Sequence, residues 1–290
     1  MIKVFLNGLL VYFFIALAPW VSAQTICNNA TGPHGDYTYE YWKDQGEACM
    51  TLGPEGTFTF EWGSEKLNNV IVRTGVRPGI GNEIVKYAAD YQPNGNSYLG
   101  VYGWMQNPLI EYYIIDSWGT WKPPGSIAIL GTIETDGGIY DIYHYRRYMM
   151  AIAGPGYIDQ YYNVRQSKRT SGTITVANHF NAWRALDMAM GEFYDVSFFI
   201  EAYQSSGYAD VYELSITHTE PTAMPSIVGD VNNDLKIDII DSLLVAQFYV
   251  GIPVEVFIET NGDVNHDGEI NIIDALLIAQ CYVSQNSCNF

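Results

Sequence analysis

From Tyr37 to Ile216 apolar and polar residues alternate in short runs separated by glycine, proline and asparagine: TFTFEW (57–62), NVIVRT (69–74), EIVKYAADY (83–91), SYLGVYGW (97–104), GIYDIYHYRRY (138–148), GTITVA (172–177), YDVSFFIEAY (194–203) and ADVYELSIT (209–217). A period of two over runs this short is the pattern of half-buried strands, and eight of them joined by turn signals predict a sandwich or barrel. One segment departs from the pattern. NHFNAWRALDMAMG (178–191) places Phe180, Trp183, Leu186 and Met190 near helical spacing, which predicts a single helix packed on the sheet, with Asn178 as its N-cap and Gly191 as its stop.

Two of the apolar runs are interrupted by a glutamate, in NPLIEYYIIDSWGTW (107–121) and in FFIEAYQSSG (198–207). Successive strand side chains point to opposite faces, so Leu109, Glu111, Tyr113 and Ile115 share one face, while Ile110, Tyr112, Ile114 and Asp116 share the other. In the second strand Glu201 shares a face with Phe199 and Tyr203. Each strand thus presents a glutamate followed two residues later by a tyrosine. A lone acid of this kind is an ordinary solvent-facing strand residue. Two facing each other across a cleft are the minimum for glycoside hydrolysis, where one carboxyl must protonate the leaving oxygen and the other must attack or activate water. Tyrosine and tryptophan supply flat amphipathic faces that stack on sugar rings. From these residues alone an enzyme and a carbohydrate-binding module both remain open.

The pattern changes after HTEPTAMPSIVG (218–229), which has two prolines and no periodicity and reads as a linker. GDVNNDLKIDIIDSLLVAQFYVG (229–251) then recurs as GDVNHDGEINIIDALLIAQCYVS (262–284), a repeat of period 33. Each copy places oxygen ligands at calcium-loop positions 1, 3, 5, 9 and 12: Asp230, Asn232, Asp234, Asp238 and Asp241, then Asp263, Asn265, Asp267, Asn271 and Asp274. Position 7, Lys236 or Glu269, would offer its carbonyl. Each loop leads into an apolar helix, and no helix precedes it. The pattern predicts two structural calcium ions, and an acidic solvated repeat is the plainer alternative.

Charge and cysteine content narrow the setting. The net charge of −18 argues against nucleic acid or an anionic membrane as partner. Between Ser226 and Phe290 ten acids face one lysine, whereas all seven tryptophans precede Glu220, so the two parts of the chain are different kinds of domain. The start, MIKVFLNGLLVYFFIALAPWVSAQ, has an early lysine, an apolar run from Val4 to Ala18 and Val-Ser-Ala at 21–23, which predicts a signal peptide over 1–23 and a secreted product. Four cysteines suit an oxidising compartment and fall as two local pairs, Cys27 with Cys49 and Cys281 with Cys288, although three pairings are formally open.

YLGVYGWMQNPLIEYYIIDSWGTW (98–121), DGGIYDIYHYRRY (136–148), QYYNVRQSKRTSGTI (160–174), NHFNAW (178–183) and IEAYQSSGYA (200–209) closely resemble, in order, the signature blocks of the family 11 glycoside hydrolases, the endo-1,4-β-xylanases. The resemblance spans about Tyr37 to Ile216. It implies a mainly β protein, a β-jelly-roll of two curved antiparallel sheets with one helix, whose concave sheet holds xylan and needs no catalytic cofactor. It further implies a monomeric catalytic domain that cleaves with retention, Glu111 as nucleophile and Glu201 as acid/base. Carried over residue by residue, Tyr113 and Tyr102 lie beside the nucleophile, Trp42 stacks on a sugar, Asn69 rather than Asn68 neighbours the acid/base, and Arg147, Gln160 and Tyr203 line the cleft. One departure is visible: the hairpin after Arg147-Tyr148 carries Ala151-Ile152-Ala153 where the family usually has Pro-Ser-Ile. The repeat after Gly229 resembles the dockerin family, small α-helical modules that plug enzymes into cohesin domains of a scaffold. It departs at loop positions 10 and 11, which are Ile239-Ile240 and Ile272-Ile273 instead of a polar pair. The expected organisation is a signal peptide (1–23), a catalytic domain (24–217), a linker (218–228) and a dockerin (229–290). A non-catalytic xylan-binding protein, a glucan hydrolase of similar shape and a calcium module without a cohesin partner are the competing readings.

Overall fold

The computed structural model describes residues 24–63, 66–218, 227–232, 234, 236–254 and 256–284. The expected signal peptide, most of the linker, Leu235 and Cys288 lie outside the described residues. The strands are β1 (Thr25–Ile26), β2 (Ala30–His34), β3 (Tyr37–Lys43), β4 (Ala48–Leu52), β5 (Phe58–Trp62), β6 (Asn69–Val76), β7 (Glu83–Gln106), β8 (Ile110–Trp118), β9 (Gly131–Thr135), β10 (Gly138–Ala151), β11 (Gly154–Arg165), β12 (Ser171–Thr175), β13 (Glu192–Phe193) and β14 (Val196–His218), and the helices are α1 (Val176–Ala185), α2 (Ile239–Tyr249) and α3 (Ile272–Ser284). None of the described helices is long and apolar enough to cross a membrane.

Two layers arise because the longest strands serve both. The first half of β7 pairs with β12 and with the second half of β14, which in turn pairs with β5; the second half of β7 pairs with β8 and with the first half of β14, which pairs with β6. What the alternation read as separate strands, 83–91 with 97–104 and 194–203 with 209–217, are therefore single strands of 24 and 23 residues. The turn signals between them, PNGN and QSSG, mark corners instead. Gly95 at φ 115° and Gln204 at φ 47° bend the backbone, and the register slips between Tyr203 and Ser206, which lets each strand pass from one sheet to the other. A second difference concerns pairing. β8 and β11 run parallel, since the chain reaches β11 from β8 through two intervening strands, β9 and β10, and not through a hairpin, whereas every other pairing among the described strands is antiparallel.

Strand alternation sorts the apolar residues into two clusters. Ile110, Tyr112 and Ile114 join the core between the sheets with Phe58, Phe60, Tyr87, Phe198 and the helix residues Phe180 and Trp183. Tyr113 and Ile115 join a second cluster with Tyr102, Trp104, Tyr162 and Phe199 on the other face of the same strands. Asp116, on the core-facing side, is fully buried but satisfied by the hydroxyls of Tyr87 (2.7 Å) and Tyr140 (2.6 Å) and by Arg169 Nε (2.6 Å). The single helix on the sheet is present, but its bounds differ from those read in the sequence. It begins two residues before Asn178 and ends at Ala185. Its start is fixed from a distance: Asp136 accepts from Thr175 N (2.9 Å) and Thr175 Oγ1 (2.8 Å), while the Asn178 amide donates to Thr135 Oγ1 (2.7 Å). A disulfide joins Cys27 to Cys49.

The C-terminal unit packs its two copies face to face. Val231 and Val264, and Val245 and Ile278, occupy matching places in one small core, and Ser242 Oγ of α2 donates to the Ala275 carbonyl of α3 at 2.6 Å.

Candidate active site

Every second residue of the central strands faces one concave surface. Glu40 and Trp42 on β3, Asn69, Ile71 and Arg73 on β6, Tyr102 and Trp104 on β7, Glu111 and Tyr113 on β8, Tyr145 and Arg147 on β10, Gln160 and Tyr162 on β11, and Glu201 and Tyr203 on β14 line a single cleft of about 840 Å³. The two interrupting glutamates, 90 residues apart in sequence, thus share one cavity with all seven neighbours that the resemblance nominated.

Glu111 is not a solvent-facing strand acid. Only 4% exposed, it is held on both oxygens: Oε1 accepts from Tyr102 (2.7 Å) and Tyr113 (3.1 Å), and Oε2 accepts from Gln160 Nε2. The strand registers explain the grip, since Gln160 lies opposite Glu111 on β11, and Trp104 lies opposite it on β7. Burial pushes its carboxyl up, while these three donors and the Arg147 charge work against the shift and favour the carboxylate.

Glu201 sits in a different setting. Its Oε1 accepts from Asn69 Nδ2 at 3.0 Å, and its buried Oε2 makes no hydrogen bond of good geometry, although the Tyr113 hydroxyl is near enough to favour the charged form. Burial pushes its pKa up to about 7, with the Asn69 amide opposing the shift and the Glu111 charge adding to it. Burial, more than the repulsion between the two carboxylates, is the main cause. The neighbouring Asn68 is engaged elsewhere, donating to Asp44 and accepting from Gln204 Nε2 at 3.0 Å.

Trp42 and Tyr203, 41% and 42% exposed, present their rings at the cleft surface. Arg147 is exposed on the β10–β11 hairpin, whose end adds Met149, Met150, Ala151 and Ile152 to the cleft, faced by Trp121, Pro123 and Pro124 from the segment after β8. Met149 Sδ also lies 3.6 Å from Gln160 Nε2. Several lining residues escaped the sequence reading, notably Glu40, Arg73, Trp104 and Tyr162. The signal was available for Arg73 and Glu40, because two-residue alternation from Asn69 reaches Arg73 and from Trp42 reaches Glu40.

In the repeat, carboxylate oxygens of Asp230, Asp234 and Asp241 come within 4.8 Å of one another. The loop is shaped by its own side chains. Asp234 N donates to Asn232 Oδ1 (2.9 Å), Lys236 N to Asp234 Oδ1 (2.9 Å), and Val231 N and Asp238 N to the two oxygens of Asp241 (2.9 Å each). The second copy repeats the wiring: Asp267 N bonds Asn265 Oδ1 (2.8 Å), Glu269 N bonds Asp267 Oδ1 (2.9 Å), and Val264 N and Asn271 N bond Asp274 (3.0 and 2.9 Å). Asp238 and Asn271 also cap α2 and α3, accepting from Ile240 N and Ile273 N at 2.7 Å each. Burial and the nearby Asp230 charge push Asp241 up to about 6, the condition of a carboxylate that a bound cation would relieve. An all-oxygen donor set with converging charges fits a hard divalent cation.

Comparison with known proteins agrees with this arrangement. The family model of Glycosyl hydrolases family 11 matches residues 34–212, and that of the Dockerin type I domain matches residues 228–281. Endo-1,4-beta-xylanase A of Thermoclostridium stercorarium is 46% identical over 217 residues, which cover 72% of this chain and 33% of that protein. Endo-1,4-beta-xylanase A of Bacillus pumilus is 47% identical over 197 residues, covering 65% of this chain and 85% of that protein. The solved structure of the family 11 xylanase from Neocallimastix patriciarum superposes with a TM-score of 0.63 at 36% identity, covering 68% of this chain and 100% of that one. The chain spans about a third of the length of the longer relatives.

Proposed function

This chain belongs to glycosyl hydrolase family 11, and from that premise we propose that it is a secreted endo-1,4-β-xylanase that cleaves internal bonds of xylan with retention and is carried on a calcium-loaded dockerin. The observation that carries the catalytic reading is the unequal environment of the two glutamates. Burial pushes both carboxyls up, but three donors stabilise the Glu111 carboxylate against that push and suit it to act as nucleophile, whereas Glu201, with fewer donors and pushed up to about 7, keeps the proton that a leaving group needs. In the first step Glu111 attacks the anomeric carbon, the glycosidic bond breaks, and Glu201 gives its proton to the departing oxygen. Once Glu111 is esterified its charge is gone, Glu201 is left as a carboxylate, and it takes a proton from the water that releases the sugar and restores Glu111. Trp42 and Tyr203 would stack on sugar rings, Asn69 would hold Glu201, and Tyr102, Tyr113 and Gln160 would hold Glu111. Arg147 would stabilise negative charge from the hairpin.

Residues 24–217 form the catalytic part of this reading, which works as a monomer, and 1–23 form the signal peptide. A linker at 218–228 leads to the dockerin at 229–290. In each loop the oxygen-bearing residues, Asp230, Asn232, Asp234, Lys236, Asp238 and Asp241, or Asp263, Asn265, Asp267, Glu269, Asn271 and Asp274, would hold one calcium ion, the side chain at the seventh position staying out of it. Bound calcium would neutralise the crowded carboxylates and lock each loop to its helix. The expected partner is a cohesin, and the exposed Ile239-Ile240 and Ile272-Ile273 pairs would give it an apolar contact on either copy. Product analysis on xylan, cellulose and mixed-linkage glucan, with the anomer of the first product recorded, tests the reading. Xylo-oligosaccharides formed with retention are expected, and preference for a glucan or inversion would refute it.

A further inference from the structure

Arg73 is 2% exposed and belongs to a charged quartet beside the catalytic cleft. Its Nη1 donates to Asp195 Oδ2 and its Nη2 to Glu40 Oε2, each at 2.7 Å, and Arg77 Nη2 reaches the same two oxygens at 2.9 and 3.0 Å. Buried ion pairs are a poor source of stability, because desolvation offsets most of their attraction. What this one touches is more informative. The Arg73 guanidinium lies over the Tyr102 ring, 5.0 Å from its centroid, and Asp195, which holds Arg73, also accepts from the backbone N–H of Trp104 at 3.0 Å. Trp104 Nε1 in turn donates to the Tyr102 hydroxyl at 2.7 Å. A phenol has one hydrogen, so a Tyr102 oxygen that accepts from Trp104 must point that hydrogen elsewhere, and it goes to Glu111 Oε1 at 2.7 Å.

We infer that Arg73 is a positioning residue for Glu111: with Asp195 it fixes the ring and the hydroxyl direction of Tyr102, and the balanced charge of the quartet sets the potential felt by the nucleophile. The inference rests on the reading of Glu111 as nucleophile. The groups that face Glu111 are Tyr102 from β7, Tyr113 from β8, Arg147 from β10, Tyr162 and Gln160 from β11 and Glu201 from β14, with Glu40, Asp195 and Arg77 completing the quartet behind Tyr102. Losing Arg73 leaves two carboxylates against one arginine, an excess of negative charge that disfavours ionised Glu111. Losing the charge of Glu40 leaves the opposite excess.

The test is the acidic limb of the kcat/KM profile on xylan. R73M should move it to higher pH by about one unit or somewhat less, the size expected of a unit charge acting across a partly screened interior. Its kcat should fall about tenfold, as when one hydrogen bond to a charged group loosens, with KM within about twofold of wild type. R73K, which keeps the charge, should leave the limb near its wild-type place. E40Q should move the limb to lower pH, and because Glu40 is partly exposed and its removal leaves both arginines paired to Asp195, it carries the test if R73M does not fold. A loss of folded protein would lower activity at every pH without moving the limb. An active wild type whose limb is unmoved in E40Q, or moves the same way in E40Q and R73M, overturns the inference. A wild type inactive on xylan overturns the proposed function instead.

Discussion

Glu111 and Glu201 are the same residue type on strands of the same pattern, and on the proposed reading, nucleophile and acid/base, their surroundings alone divide the labour between them. Glu111→Gln keeps the shape and most of the hydrogen bonds but removes the attacking oxygen, so turnover should fall at least about a thousandfold while xylan binding, followed by calorimetry, stays within a few fold. The basic limb of the rate profile should report Glu201 and lie near its pKa of about 7, because the leaving group is not protonated once Glu201 ionises. Asn69 donates to the charged form of Glu201 and so lowers that pKa. Asn69→Ala should therefore shift the basic limb upward by about half a unit to one unit, measured as kcat/KM against pH. A downward shift would mean that the amide favours the protonated acid.

At the scale of the element, local signals and their tertiary meaning part company in instructive places. The helix α1 was legible from the spacing of Phe180 and Trp183, but its N-terminus is closed by Asp136 from the β9–β10 turn, which no nearby residue could announce. Asp136→Ala should cost about 2 kcal/mol in urea unfolding, since it removes the cap and leaves alanine at φ 51°, whereas Asp136→Asn, which tolerates that backbone and keeps one acceptor, should cost about half as much. The PNGN and QSSG stretches carry honest turn chemistry, yet they bend β7 and β14 instead of ending them. Pairing on both flanks holds each strand together through its corner. That continuity places Glu201, on the first half of β14, in the cleft while the second half of the strand builds the opposite sheet.

For the whole molecule the two copies of the C-terminal repeat share wiring but not composition. Gly268, at the sixth position of the second loop, takes φ 90°, a conformation that costs a residue with a β-carbon about 1–2 kcal/mol. The matching position in sequence is Leu235, so the first loop should bind calcium about five- to thirtyfold more weakly, despite its extra charge at Asp238. Calorimetric titration of the full chain with Asp230→Ala or Asp263→Ala silencing one loop each would measure both sites, and Leu235→Gly should strengthen only the first. Equal affinities would show that the charge of Asp238 compensates. Chelation should unfold this unit while leaving xylan hydrolysis by the β domain intact, because among the described residues the converging carboxylates lie in the repeat and the cleft glutamates contact no part of it.

The sequence by itself determined which faces and which kinds of element local periodicity produces, though not where β7, β14 and α1 begin and end. The strand faces at Glu111 and Tyr113, the single helix, the change of domain type near the linker and the repeated oxygen pattern after Gly229 are all of that kind, since each follows from a spacing of 2, 3.6 or a fixed loop length. Tertiary structure decided what needs strands distant in sequence to meet. It brought Glu201 and Glu111 into one cleft, gave Asn69 to Glu201 while Asp44 and Gln204 engage Asn68, and turned Asp116 into a buried acceptor. It also assembled Glu40, Arg73, Arg77 and Asp195 into a quartet from four separate segments. The physical reason is that an ionisable side chain is tuned by burial, partner and charge in three dimensions, and linear spacing encodes none of these until the sheet has curved and closed.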